Sequence, residues 1–227
     1  MLHEMTRPVQ GGLRQEKKFA ITANNIANAN TTGFKKDVLT FGDMLETRMK
    51  TDFSEGPLQF TENRLDMAIS GNGFFKIQTA DGIRYTRSGN FTLDNTNTLV
   101  TQDGNPVLGT GGPIVIDGND VVIEETGEVR VGDTTAGILA VVDFDSYENL
   151  KKDGNTLFAP ADDTPLQEIA PDRVSVKQGA LEMANITTVK EMAELIKTER
   201  LYQTYQKMMQ TFDELNATAA TKIAQFK

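Results

Sequence analysis

Apolar and polar positions follow two different rhythms along this chain. Near both ends the apolar residues recur at three- and four-residue spacing, the period of a helix with one greasy face. In between they form short runs cut by turn dipeptides. From Phe74 to Asp143 the punctuating pairs are Asp81-Gly82, Ser88-Gly89, Asp103-Gly104, Asp117-Gly118 and Thr126-Gly127. Such pairs tolerate the positive φ of tight hairpins. Between them lie apolar runs at residues 74–77, 83–86, 91–93, 99–101, 114–116, 121–123 and 129–131. Turn signals this closely spaced predict an all-β sandwich or barrel. Residues 144–175 hold Pro160, Pro165 and Pro171 among many acids and predict an irregular connection.

After Asn185 the helical rhythm takes over. Thr188-Val189-Lys190-Glu191 has the form of a capping box, and from there to Phe226 the chain contains neither Pro nor Gly. About 38 residues at about 1.5 Å each predict a rod roughly 57 Å long. Counting by sevens, one seam holds Leu195, Tyr202, Met209, Asn216 and Ile223, and its partner holds Thr198, Tyr205, Phe212, Ala219 and Phe226. Large apolar or aromatic residues dominate both, as in a helix that packs lengthwise on other helices.

The N-terminal segment offers such a partner. Leu2, Val9 and Ala23 share one seven-residue seam, and Met5, Gly12, Phe19 and Ile26 share the adjoining one, so Met1 to about Asn28 predicts a second amphipathic helix. Pro8 and Gly11-Gly12 predict a kink or a frayed first turn, and Gly33 predicts a terminator. The fold class that follows is a mainly β central domain, sandwich- or barrel-like, flanked by N- and C-terminal α-helices that pair as a coiled coil. Its divisions are residues 1–34, 35–186 and 187–227.

Two terminal helices with narrow apolar seams have little of their own domain to bury against, while ordering each residue costs roughly 1–2 kcal/mol. The termini are therefore expected to be mobile in isolated subunits and to order on assembly, in contacts that run head-to-tail and do not close. For the stripe Tyr202, Tyr205, Met209 and Phe212, the pattern alone fits intramolecular core and intersubunit contact equally. Its length favours contact.

Charge divides the 227-residue chain at the same places. Residues 1–36 carry six basic and two acidic groups, residues 187–227 six and five, and residues 37–186 eleven and twenty-five, for a net charge of -9. An acidic middle repels nucleic acid and anionic membrane. Without Cys or Trp and with His3 alone, the chain cannot build a thiolate or multi-histidine zinc site, a Cys nucleophile or a disulfide scaffold. Lack of cysteine suits a chain exported unfolded, as it also suits many cytosolic ones. The longest apolar run, Ile138 to Val142, is far shorter than a membrane helix needs. Charges scattered through the first twenty residues leave no cleavable secretory signal.

Candidate chemistry is sparse. Gly71-Asn72-Gly73 and Gly109-Thr110-Gly111-Gly112 lack the Lys-Ser/Thr of a phosphate loop, and Asp94-Asn95-Thr96-Asn97 lacks the glycine and terminal acid of a calcium loop. His3 lacks the enclosed, oriented setting a general base needs. Acids are plentiful enough for a carboxylate-pair hydrolase, yet nothing fixes a substrate and no Gly-x-Ser-x-Gly elbow appears. The chain reads as no enzyme, with no cofactor, no metal and no small-molecule substrate. A secreted adhesive β-module with coiled-coil termini is an alternative.

Several stretches carry a resemblance. Ala23-Asn24-Asn25-Ile26-Ala27-Asn28-Ala29-Asn30-Thr31-Thr32-Gly33-Phe34-Lys35 resembles the N-terminal signature of the bacterial flagellar rod and hook family. Residues 56–63, 65–75, 85–91 and 99–104 agree with it, as do Gln178-Gly179-Ala180-Leu181-Glu182 and the helix from Glu191 to Tyr202. The resemblance implies a structural rod subunit of the periplasm-spanning basal body, exported through the flagellar type III apparatus and stacked helically into the shaft between motor and hook. Its partners would be other copies and other proximal- and distal-rod proteins. Terminal helices would form an inner tube and the β domain an outer layer. The stretch from Phe41-Gly42-Asp43-Met44-Leu45 to Gly56-Pro57-Leu58 is short. In this it resembles proximal-rod members more than distal-rod ones, which carry a longer insertion there. Asn24, Asn25 and Asn28 fall within about 100° on a helix; spacing alone suits helix-end and loop chemistry, and the resemblance makes them subunit contacts. With them, Ile26, Gly33, Phe34, Leu195, Tyr202, Tyr205, Met209, Phe212 and Ile223 are the implied subunit-interaction residues.

Overall fold

Glycine marks the turns of the β region as the dipeptides predict. Gly82, Gly104, Gly118 and Gly127 all have positive φ. Gly89 is the exception, where a Cβ would instead collide with the Met67 carbonyl. The computed structural model describes residues 2–41, 47–118, 120–161, 167–170 and 175–225, and within these the side chains of residues 2–8, 41, 47, 220 and 222–225 are not described. The readings placed on Pro165, Pro171 and Phe226, and on the side chains of Leu2, His3, Met5, Pro8 and Ile223, lie outside the described residues. The chain is mostly β with one helix at each end, α1 (Leu2–Ala27) and α2 (Thr188–Gln225).

Two compact units form. The β unit comprises residues 28–36 and 53–185. Its largest sheet is antiparallel and six-stranded, in the order Leu150–Asp153, Leu157–Pro160, Gly82–Thr86, Phe74–Thr79, Val141–Phe144 and Glu168–Ile169. Val121–Ile123, Glu128–Val131 and Thr134–Ile138 form a three-stranded sheet, and two-stranded ribbons complete the unit. Strands stand at 150–153, 157–160 and 168–169, where the sequence suggests irregular connection. The Lys151-Lys152-Asp153 run hides that ladder, because Leu150 and Phe158 alone turn inward there.

Two apolar clusters fill this unit. One gathers Met67, Ile69, Phe75, Ile77, Leu99, Ile114, Val129, Leu139 and Val176. The other is aromatic: Phe74, Tyr85, Phe144 and Phe158 with Phe53 and Tyr147, whose ring centroids lie 4.9–5.9 Å apart in edge-on and tilted pairs. Such geometry sets positive ring edges against negative faces. Tyr85 donates to Glu168 at 2.7 Å, and Tyr147 to Asp143 at 2.7 Å.

The helical unit comprises residues 1–27, 37–52 and 186–227. Residues 28–36 thus pack with the strands and 37–52 with the helices, a division that differs from the sequence boundaries at 34 and 35. α1 runs through Pro8. α2 spans 38 residues, the length its pattern predicts. Its cap sits one residue before the capping-box reading, since the Thr187 carbonyl accepts from Lys190 N at 2.9 Å and Glu191 N at 3.1 Å. Glu191 in the first turn complements the helix dipole.

Phe75 is fully buried and meets Phe91 edge-on, so Phe75→Ala should destabilise the β unit by about 3–5 kcal/mol, read as a shift in the urea midpoint. Burial first, and then the Glu168 and Asp143 hydrogen bonds, push the Tyr85 and Tyr147 phenols far above their usual range. Because both folded values exceed the unfolded one, their stabilisation is complete below the ordinary phenol pKa of about 10 and is lost as pH rises above it. An alkaline titration of tyrosinate absorbance should show two phenols that ionise only on unfolding.

Candidate functional site

The two helices lie antiparallel. Gly11 of α1 faces Tyr205 of α2, and Lys18 Nζ meets Glu194 Oε2 at 2.7 Å. Glu16 and Phe19 line a shared cleft with Glu199 and Tyr202. A Cβ on Gly11 would fall 2.5 Å from the Tyr205 ring, so the glycine that weakens helix propensity gives an aromatic ring its seat on the backbone. Leu195, Tyr202, Tyr205, Met209 and Phe212 are half-buried along this face of α2, and Thr198 is fully buried. Beyond them Asn216 and Ala219 are exposed. Two buried polar atoms of the unit, Gln15 Oε1 and Thr198 Oγ1, have no hydrogen-bond partner.

On α1 the buried positions are Gly12, Thr22 and Asn25, with Gln15, Lys18 and Ile26 half-buried. Val9, expected in the inward seam, points out beside Leu13, which is 54% exposed, and Phe19, expected there too, sits at the rim of the cleft it shares with Tyr202. α2 also has an unpartnered apolar surface. Val189, Met192 and Ile196 are exposed over its first turns, and Leu201, Met208 and Leu215 are exposed at seven-residue spacing farther along. Thr204, Thr211 and Thr218 repeat at the same interval beside them, each donating its hydroxyl to the carbonyl four residues earlier. This second stripe lies about 90° around the helix from the first. Heptad counting on these positions would have revealed it.

Asn25 and Asn28 bond within the chain. Asn25 Nδ2 donates to the Asp37 carbonyl at 2.9 Å and its Oδ1 accepts from Asp37 N at 3.0 Å, pinning the ribbon Asp37–Phe41 with Thr47–Thr51 to α1. Asn24 is exposed and Ile26 half-buried. Asn28, Gly33 and Phe34 belong to the β unit. The Asn28 carbonyl accepts from Thr31 N at 3.0 Å and its Oδ1 from Thr31 Oγ1 at 3.2 Å. Gly33 lies six residues past the end of α1 and does not terminate it. At φ 68°, it is pressed against the Arg87–Ser88 backbone, where a Cβ has no room. Phe34 is buried beneath Lys152, whose Nζ stands 4.0 Å from the ring centroid.

Behind Phe34 is a buried ion cluster with no local sign in the sequence. Lys35 Nζ contacts Glu182 Oε1 at 2.6 Å and donates to the Ser54 carbonyl at 2.6 Å. Arg87 Nε lies 2.9 Å from Glu182 Oε2, and its other nitrogens donate to the Gly73 and Gly71 carbonyls at 2.7 Å each. Gly56 N adds a bond to Glu182 Oε1 at 2.9 Å. Lys35 and Glu182 side chains are each 1% exposed and Arg87 3%. Burial pulls the Lys35 ammonium below its usual range; Glu182 raises it in part, and Arg87 lowers it again.

What these surfaces offer is contact area, not chemistry. Comparison with known proteins agrees. Residues 11–35 match the Flagella basal body rod protein family, residues 68–131 the Flagellar hook protein FlgE/F/G D1 domain, and residues 177–222 the Flagellar basal body rod FlgEFG protein C-terminal family. The chain is 35% identical to the flagellar basal-body rod protein FlgF of Caulobacter vibrioides, over 91% of this chain and 92% of that one. It is 34% identical to FlgG of Bacillus subtilis, over 95% and 97%, and 30% identical to the flagellar hook-basal body complex protein FlhO of the same organism, over 98% and 99%.

Asn25→Ala should remove both Asn25 hydrogen bonds to the Asp37 backbone at a cost of about 1–3 kcal/mol. Hydrogen exchange should then quicken at Asp37 and along its ribbon while the β unit is unchanged.

Proposed function

The chain belongs to the flagellar basal-body rod and hook family as a structural subunit of the rod, not an enzyme, and on that premise we propose that it sits in the proximal rod, as an FlgF-like subunit. Its place is the basal body, among other rod proteins. Copies stack helically through α1 and α2, which pair as a coiled coil in the assembled shaft and carry torque from motor to hook. The terminal helices form the inner tube, and the β region forms the outer layer. The flagellar type III apparatus exports the chain.

The observation that carries this reading is the pair of exposed apolar surfaces, Val9 and Leu13 on α1 and Leu201, Met208 and Leu215 on α2. Each helix buries one face against the other and keeps a second for neighbours. Buried Gln15 and Thr198 atoms without partners cost about 1–3 kcal/mol each, which weakens the pair on its own and favours its completion in the assembly. Asn24, Leu195, Tyr202, Tyr205, Met209, Phe212 and Ile223 take part in these contacts. Asn25 and Ile26 support them from within the helical unit. A distal, FlgG-like position is the second reading, favoured by the near-equal identity to FlgG.

Leu201→Glu combined with Met208→Glu should leave the circular dichroism of the free subunit unchanged and abolish incorporation into basal bodies and swimming. Retained incorporation would remove the second stripe from the interface. In cells lacking their own FlgF, the unaltered chain should restore rod completion; rescue only of cells lacking FlgG would move it to the distal rod.

A further inference from the structure

Several ladders of the β unit join strands close in sequence: 74–79 with 82–86, 121–123 with 128–131, 128–131 with 134–138, and 150–153 with 157–160. Two reach farther, 74–75 with 141–142 and 85–86 with 157–158, and among the described strands those of residues 175–185 reach farthest. They are bonded along their whole length to segments far earlier in the chain. Ser70 N donates to the Ser175 carbonyl at 2.8 Å, and 176–178 pair with 67–69. Gly179 N donates to the Asp66 carbonyl at 2.8 Å and its own carbonyl accepts from Thr61 N at 2.7 Å. Next, 180–182 pair with 58–60, and Met183 N donates to the Pro57 carbonyl at 2.9 Å. Asn185 closes the run, its Oδ1 accepting from Lys36 N at 2.8 Å and its Nδ2 donating to the Ser54 carbonyl at 3.2 Å. On the other flank, Val176 N donates to the Glu125 carbonyl at 2.9 Å, and the Gln178 side chain bonds the Val121 carbonyl and Ile123 N.

Glu182 is the only carboxylate of this segment, and it enters the buried space between Lys35 and Arg87. Lys35 and Glu182 are 147 residues apart in the chain. Gly33 N also donates to the Glu182 carbonyl at 2.7 Å, so backbone and side chain of one residue hold the signature turn.

We propose that residues 175–185 are a closing clasp: a cooperative element, separable from the hairpins, that locks last and whose Glu182 carboxylate is the condition for locking. Residues 33–36 and 54–70, with the two buried cations, form its slot. Closing a loop this long costs more entropy than closing a hairpin, so local ladders form before it. Until Glu182 arrives, shutting the slot buries Lys35 and Arg87 without their main counter-charge, and a segment lacking that carboxylate leaves them only the half-exposed Glu55, 3.8 Å from Arg87. A chain made N-terminus first therefore holds its hairpins while the slot stands open, and the lock waits for the segment just ahead of the C-terminal helix. This property belongs to the single subunit and is independent of the assembly reading.

Pulse-labelling hydrogen exchange during refolding of the full chain from urea reads the order directly. Residues 74–86 and 121–138 should gain protection first, and 33–36, 54–70 and 175–185 should gain it together in a later phase. Simultaneous protection of hairpins and slot overturns the proposal. In the native full chain, Glu182→Gln should lower protection of the three slot segments by about a hundred- to a thousand-fold while the hairpins keep theirs. Lys35→Met added to Glu182→Gln removes one uncompensated cation and should recover at least about tenfold of that loss. An even fall across the β unit, no fall, or no recovery in the double variant overturns the role of the carboxylate. Should Glu182→Gln fail to fold, the refolding order of the unaltered chain decides.

Discussion

Two helices laid side by side can each bury about one face, and here both have a second face of apolar side chains. That geometric shortfall governs the helical unit. Along α2, Tyr202, Tyr205, Met209 and Phe212 use the first face, whereas Leu201, Met208 and Leu215 stay in solvent. Burying a side chain of this size contributes roughly 1.5–3 kcal/mol, so several exposed at regular spacing are a standing source of association energy. The regular seven-residue interval matters as much as the area. It arranges that energy as a line along the helix axis.

The β unit meets a different constraint. Its strands come from both halves of the chain, and the junction is held by charge as well as by apolar packing. A buried cluster of two cations and one carboxylate is weak ground for stability in itself, since desolvation offsets the attraction. Its value lies in discrimination. Lys35, Arg87 and Glu182 accept one register and no other, because a one-residue slip of the 180–182 ladder reverses the faces of its side chains and takes Glu182 away from both partners.

Much of this is legible in the sequence. The inward seam of α2, its length, and the hairpin turn at Asp81-Gly82 follow from period and turn chemistry alone. Failures come where a residue's role depends on a remote neighbour. Gly11 reads as a poor helix former until Tyr205 is seen lying on it. Gly33 reads as a helix stop until the Arg87–Ser88 backbone is seen against it. A strict seven-residue count places Val9 and Phe19 inward, yet the contact line steps by three and four residues through Gly12, Gln15, Lys18, Thr22 and Asn25, which leaves Val9 on the far side of the helix and Phe19 at the margin. The ion cluster has no local signature, because single charges at 35, 87 and 182 look like any others until the fold converges them. Lys151 and Lys152 obscure the strands at 150–160, because nothing local shows that Lys152 lies over the buried Phe34 ring.

The threonines beside the second stripe carry one more implication. By turning its hydroxyl back onto its own helix, each of Thr204, Thr211 and Thr218 hides the polar atom and shows a methyl group outward. The surface can thus dry out against a neighbour without stripping a donor of its acceptor. Hydration is shed cheaply at those three positions.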